Sequence, residues 1–338
     1  MKYFITFTLL ISLVLFSCKQ NTKFDVDISD INIELKVKRF EQDLFKFNID
    51  SSAYYLDLYK TKYGEFFKLF NLQIVDLGDS EDKNYAENLD LYLRFWKAEK
   101  VPSVLKEEFS DFEKEVLPDI EKSFRYYKYY FPEKYTPDIY TFFSSFGYSV
   151  VSLDSVTGLG IDKYLGKKHG HFYDKTGWSN YQKKRMHKKM IPVDIMRSTA
   201  ESEFVYEGDD SDNLLNNMLY QGKIQYFLNC MLPETPDTLK WMYSEKQLIW
   251  ANKHEAKVWN YIAEQKLLFS SEKNDIRKFV GDGPYTSVFT DVSAPRAGVF
   301  VGYKIVEKYM THNPDISLKE LMEEKDYQKI LAEAKYNP

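Results

Sequence analysis

The sequence predicts a predominantly α-helical α+β protein, with a small antiparallel sheet set between helical lobes. Three observations carry that prediction. Apolar residues recur near the helical period over 40–135 and again over 191–338. Short aromatic and β-branched runs joined by glycine fill 138–166. No internal repeat, low-complexity tract or break in composition marks a linker. The chain has 338 residues and is 17% aromatic, enough to bury a large core, so 31–338 is expected to be a single globular unit.

The N-terminus reads as a processing signal. Lys2 is followed by the apolar run FITFTLLISLVLF, which stops at Ser17-Cys18. The run is too short for a permanent membrane span, and a small residue before cysteine is what lipoprotein signal peptidase requires. Residues 1–17 are therefore expected to be a signal peptide and Cys18 the lipidated residue, so the first partner is a membrane. Phe16 is bulkier than usual for such a site. Loss of 1–17 removes one basic residue, Lys2, so 46 Lys+Arg become 45 against 51 Asp+Glu, a net of −6. That mildly acidic balance argues against nucleic acid as a partner. With Cys18 acylated, Cys230 is the remaining thiol and no internal disulfide can form. No acidic residue follows Cys18 closely, which favours an anchored protein facing the periplasm. The polar stretch up to residue 30 is expected to be a tether.

The elements follow in order. INIELKVKRFEQDLF alternates like a strand and runs into a helix start. Ser51 and Ser52 precede a helix with Tyr55, Leu58, Tyr59, Phe66, Phe67 and Phe70 at helical spacing, and 81–97 and 103–130 repeat that pattern. Pro102, Pro118, Pro132 and Pro137 punctuate them. IYTFFSSF and YSVVSLD predict two or three antiparallel strands, and Gly158-Leu-Gly160 reads as a turn, since its third position for a dinucleotide fingerprint is Lys163. Helices are then expected at 191–204, 211–232, 244–268, 296–311, 317–324 and 326–335.

Motifs with chemical meaning are few. His254-Glu255 begins the zinc motif HExxH, but Val258 stands where the second histidine must be, so an amphipathic helix is expected. His169, His171 and His187 are candidate ligands in a lysine-rich stretch that disfavours a cation, with Asp174 the one nearby carboxylate recognised. The acidic run 207–212 lacks EF-hand spacing, and Asp212 is expected to cap a helix. Gly222-Lys223 is no phosphate loop, because Asn217 and Ile224 occupy places that need Gly and Ser or Thr. It is expected to be a packing glycine that, like Ala256, allows close helix contact, beside a lysine that keeps its ammonium in water. Asn213, Asn217, Gln221, Gln225 and Asn229, four apart, predict an amide stripe winding along a partly exposed helix face. Gly298 and Gly302 share a face and predict close helix packing. Arg296, at that helix's start, is a fixed charge expected to meet a buried carboxylate or a ligand.

VDISDINIELKVKRFEQDLF, GLGIDKYLG, YQGKIQYFLNCMLP, SEKQLIWANKHEAKVWNYI, APRAGVFVGYKIVEKYM and KILAEAKYNP, in this order, resemble the gliding-motility lipoprotein family GldB. Ser293-Ala-Pro295-Arg296 departs from the Ser-Pro-Gly-Arg of that family. The resemblance implies an envelope lipoprotein needed for gliding and the linked type IX secretion pathway, with apparatus proteins as partners and no catalysis. It also implies a degenerate zincin-like fold. The β run before GLGIDKYLG, the 191–204 helix and the helix bearing GKIQYF would match a peptidase's strand, HExxH helix and glutamate-ligand helix. IPVDIMRSTAESEF has no histidine, and Gln221 stands at the carboxylate position, so neither zinc nor another cofactor is expected. The rival readings are a metal-dependent hydrolase using His169, His171 and His187, and a ligand-binding lipoprotein with an aromatic-rich surface.

Overall fold

The computed structural model describes residues 24–153, 155–207 and 212–338. Cys18, the expected signal peptide and most of the acidic run lie outside them. The N-terminal half contains β1 (Val37–Arg39), α1 (Phe40–Leu44), α2 (Ser52–Leu69), α3 (Tyr85–Ala98), α4 (Val101–Glu108), α5 (Phe112–Glu115) and α6 (Leu117–Tyr130). Strands β2 (Asp138–Phe142), β3 (Val150–Leu153) and β4 (Val156–Gly160) follow, then the short helices α7 (Gly170–Lys175) and α8 (Asn180–Lys183). The rest comprises α9 (Ile191–Glu203), α10 (Leu214–Met231), α11 (Asp237–Lys240), α12 (Glu245–Lys253), α13 (Glu255–Glu264), α14 (Lys273–Val280), α15 (Ala297–His312), α16 (Leu318–Glu323) and α17 (Tyr327–Ala334).

The predominantly helical α+β class is what the sequence predicts, and most helix bounds agree to within a few residues. The sheet differs in detail. It is mixed, in the order β1-β2-β4-β3, with β1 parallel to β2, β2 parallel to β4, and β3 antiparallel to β4 alone. The chain passes through α1–α6 between β1 and β2, a crossover long enough to bring the second strand back in the same direction. Periodicity within a strand carries no information about a partner so distant. Gly158 and Gly160, expected in a turn, lie on β4. A Cβ at Gly158 would stand 2.6 Å from the Phe66 ring, and one at Gly160 would stand 2.1 Å from the Tyr148 carbonyl oxygen. The glycines let α2 and the preceding loop sit directly on the strand.

Alternation along the strands divides the interior. Tyr140, Phe142 and Val156 join Phe40, Tyr59, Phe66, Phe67 and Phe70 in an aromatic cluster under α2. Ile139 and Leu159 belong to the larger core built around α10 and α15. Helix α10 is buried along nearly its whole length. It crosses α15 at glycines: a Cβ on Gly222 would be 2.5 Å from the Gly302 carbonyl carbon, and one on Gly302 would be 2.0 Å from the Met218 oxygen. The packing partner of Gly222 is thus Gly302.

Four further expectations change. The 244–268 helix breaks at His254, whose ring stacks on Trp250 at 4.6 Å and whose Nδ1 lies 2.8 Å from the Trp250 carbonyl oxygen. The cap of α10 is Asn213, accepting from Asn216 N at 3.0 Å, while Asp212 accepts from Asn217 Nδ2 at 2.6 Å. The Lys223 ammonium is buried, donating to the Met322 and Glu324 carbonyls at 3.0 and 2.7 Å. Those carbonyls end α16, where the helix dipole favours a cation. Within the expected tether, Phe24 packs edge-on to Tyr226 at 5.1 Å and Asp25 accepts from the Tyr126 hydroxyl at 2.9 Å.

Candidate functional site

Two residues singled out separately in the sequence meet in space. Arg296 precedes α15 with a left-handed backbone, φ +53°, and donates from Nη2 to Gln221 Oε1 of α10 at 2.5 Å. Its Nε donates to the Val280 carbonyl at the end of α14, 3.2 Å away. Pro295 fixes the approach, its carbonyl accepting from the Tyr243 hydroxyl at 2.6 Å. The expected buried carboxylate is absent among the described residues; both partners of Arg296 are neutral oxygens. Burial lowers the pKa of this guanidinium, opposed by its nearness to Tyr243 and Asp282.

Helix α9 faces the same region. Arg197 donates from Nη2 to the Lys240 carbonyl at 3.1 Å, and its buried Nε has no hydrogen-bond partner. Burial first, then the like charge of Arg296, brings its pKa down to about 10. One turn earlier, Asp194 accepts from the Tyr164 hydroxyl at 2.8 Å, and burial lifts its carboxyl to about 6 against the pull of that bond and of Arg197, Lys163 and Arg185. Lys163 is buried with its ammonium 3.2 Å from the centre of the Trp178 ring, and burial lowers it to about 8. Its neighbour Asp162 is buried too, accepting from the Ser144 and Phe146 amides. Burial raises that carboxyl to about 6 even so.

Arg185 stands at the mouth, its Nη1 on Asp282 at 2.9 Å. It lines two adjoining clefts of about 460 and 170 Å³ that also share Met242. Met242, like Arg296, holds a left-handed backbone, φ +57°. The arrangement is thus a desolvated polar centre with an excess of guanidinium groups, suited to holding negative charge. Perturbed titrating groups beside a cleft mark a candidate site.

The histidine candidates do not converge. His169 Nε2 lies 3.1 Å from Glu108 Oε1, a carboxylate that local sequence did not reveal, while His171 packs on Phe172. Asp174 pairs with Lys183 and His187 sits in an isolated bridge with Leu165. Among the described residues no group of three or more His, Cys, Asp or Glu side chains is placed to hold a metal. The amide stripe winds inward: Gln225 and Asn229 are buried, and Asn229 Nδ2 donates to the Tyr303 hydroxyl at 3.0 Å. Sequence reading missed Arg185, Arg197, Asp194 and Lys163. The available signal was IPVDIMRSTA, where Asp194 and Arg197, three apart, interrupt an otherwise apolar helix face.

No curated protein and no solved structure matches the chain. The family model described as gliding motility protein GldB matches residues 21–338. The chain therefore belongs to the GldB family of gliding motility proteins, which places its work in the cell envelope.

Proposed function

We propose that this chain is a non-catalytic envelope lipoprotein, anchored through acylated Cys18, that supports gliding and the linked type IX secretion of proteins. The observation that carries the non-catalytic part is the use made of Gln221. In a zinc peptidase the corresponding helix presents a carboxylate to the metal, and the facing helix presents two histidines one turn apart. Here Gln221 gives its amide oxygen to Arg296, and α9 offers Asp194 and Arg197. A guanidinium where a cation would sit opposes metal binding electrostatically. The pair ties three helices together where a zincin would hold its metal. Its partners are proteins of the gliding or secretion apparatus.

The deciding experiment deletes the gene and scores colony spreading together with bulk protein secretion. Loss of both, restored by wild-type chain and by Gln221→Glu alike, is the expected result. Spreading lost with secretion intact would separate the chain from the secretion pathway. Stoichiometric zinc in the purified protein, lost on His169→Ala, would favour the hydrolase reading instead.

A further inference from the structure

We propose that Arg185, Arg197 and Arg296 form an oxyanion-binding site, which takes a compact carboxylate or phosphate group between α9 and the start of α15. Among the described residues neither Arg197 nor Arg296 has a carboxylate within ion-pair distance. Their bonds run to the Lys240 and Val280 carbonyls and the Gln221 amide oxygen. Neutral acceptors orient a guanidinium without discharging it. Arg197 Nε is left over, buried and unpartnered. Both arginines are half-buried, and a largely desolvated arginine that serves structure alone is ordinarily matched by a carboxylate, because an uncompensated charge away from water is costly. Two of them within electrostatic reach of each other raise that cost further.

The surroundings do not supply the missing charge. Asp194 is held by the Tyr164 hydroxyl and faces Lys163 as well as the arginines. Asp282 is engaged by Arg185 and by the Tyr181 hydroxyl, Glu201 is exposed, and Asp162 is enclosed by the Ser144 and Phe146 amides. Two clefts open beside these groups: Arg185 lines both, Pro295 the larger and Asp194 the smaller. Left-handed backbone at Met242 and Arg296 puts strained residues at the cleft and at the site, as at many ligand-holding centres. Planar guanidinium donors match the paired oxygens of carboxylate and phosphate alike. The site concerns what the chain holds and does not depend on its part in gliding or on the loss of catalysis.

The test uses the full chain purified in detergent, titrated with inorganic phosphate and in parallel with acetate, against chloride at matched ionic strength. Saturable stabilisation by phosphate or acetate is expected, with affinity reduced about tenfold or more in Arg197→Met. The unliganded variant should melt no lower than wild type, because it sheds a poorly compensated charge. A response to phosphate alone assigns a phosphate group and a response to acetate alone a carboxylate; either upholds the site. Should Arg197→Met fail to fold, Arg185→Met, at the cleft mouth, replaces it with the same reading. Equal melting in phosphate, acetate and chloride would overturn the proposal, and so would a variant that keeps the wild-type response.

Discussion

The aromatic cluster under α2 and the centre where α9, α10 and α15 meet are both largely buried, yet they differ in how far they satisfy their polar atoms. In the first, tyrosine hydroxyls find acceptors. Tyr59 donates to the Asp43 carbonyl at 2.8 Å, Tyr63 to the Asp43 carboxylate at 2.7 Å and Tyr85 to Asn71 Oδ1 at 2.5 Å. Phe40 is surrounded edge-on by Tyr59, Phe66 and Phe70, with centroids 5.0–5.9 Å away. In the second, Arg197 Nε, Gln225 Nε2 and Asn229 Oδ1 are buried without partners among the described residues, and two guanidinium groups there have no carboxylate within ion-pair distance. Packing explains nearly all of the first region, where Asn71 Nδ2 is the buried side-chain atom left without a partner among the described residues. The second keeps polar groups that an apolar core would discard, and such local inconsistency concentrates where function resides.

Four variants or conditions sharpen that contrast. Phe66→Ala should have the largest effect, a loss of about 3–5 kcal/mol in urea unfolding, because the ring sits against a strand glycine and its removal opens a cavity. Its response to oxyanions should stay that of wild type; a lost response would show that the two regions are coupled.

A pH series between 8 and 10 should report on two buried lysines that lie outside the aromatic cluster. Lys163 and Lys223, each brought by burial to about 8 from an ordinary 10.5, bind fewer protons in the folded than in the unfolded chain between those values. Stability should therefore rise from pH 8 to pH 10, by on the order of 2 kcal/mol for each lysine. Above pH 10 the buried tyrosines, shifted upward, act in the opposite sense. Lys223→Met should flatten the slope and Phe66→Ala should leave it intact. An unchanged slope in Lys223→Met would remove that lysine from the account.

Gly302→Ala should cost about 1–3 kcal/mol by thermal melting, since the added methyl meets the α10 backbone. Tyr63→Phe should cost least, about 1 kcal/mol, by removing one bond to Asp43. A neutral result there would mean that aromatic packing alone sustains the first region.

Much of the fold is legible locally. Helical spacing, prolines at the starts of α4 and α6 and the Ser244 capping box all act within a turn or two of chain, so the bounds follow from sequence. Helix α14 was missed, being largely charged with only Ile276, Phe279 and Val280 apolar. Sheet order and the site depend on residues far apart. Arg296 and Gln221 each stood out alone, but their contact joins positions 75 residues apart. The rule that keeps a lysine's ammonium in water failed at Lys223 because the end of another helix takes water's place. For Arg197, the missing element was the absence of a partner, which only assembled neighbours reveal.

The docking of Phe24 and Asp25 on Tyr226 and Tyr126 sets how this chain would stand on a bilayer. Six residue steps separate Cys18 from Phe24, a reach of about 20 Å even when fully extended. With acyl chains on Cys18, the surface carrying those tyrosines is held within that distance of the headgroups. The body then has a top and a bottom. Inserting a flexible spacer after Cys18 would free the body to roam without altering a single contact within it.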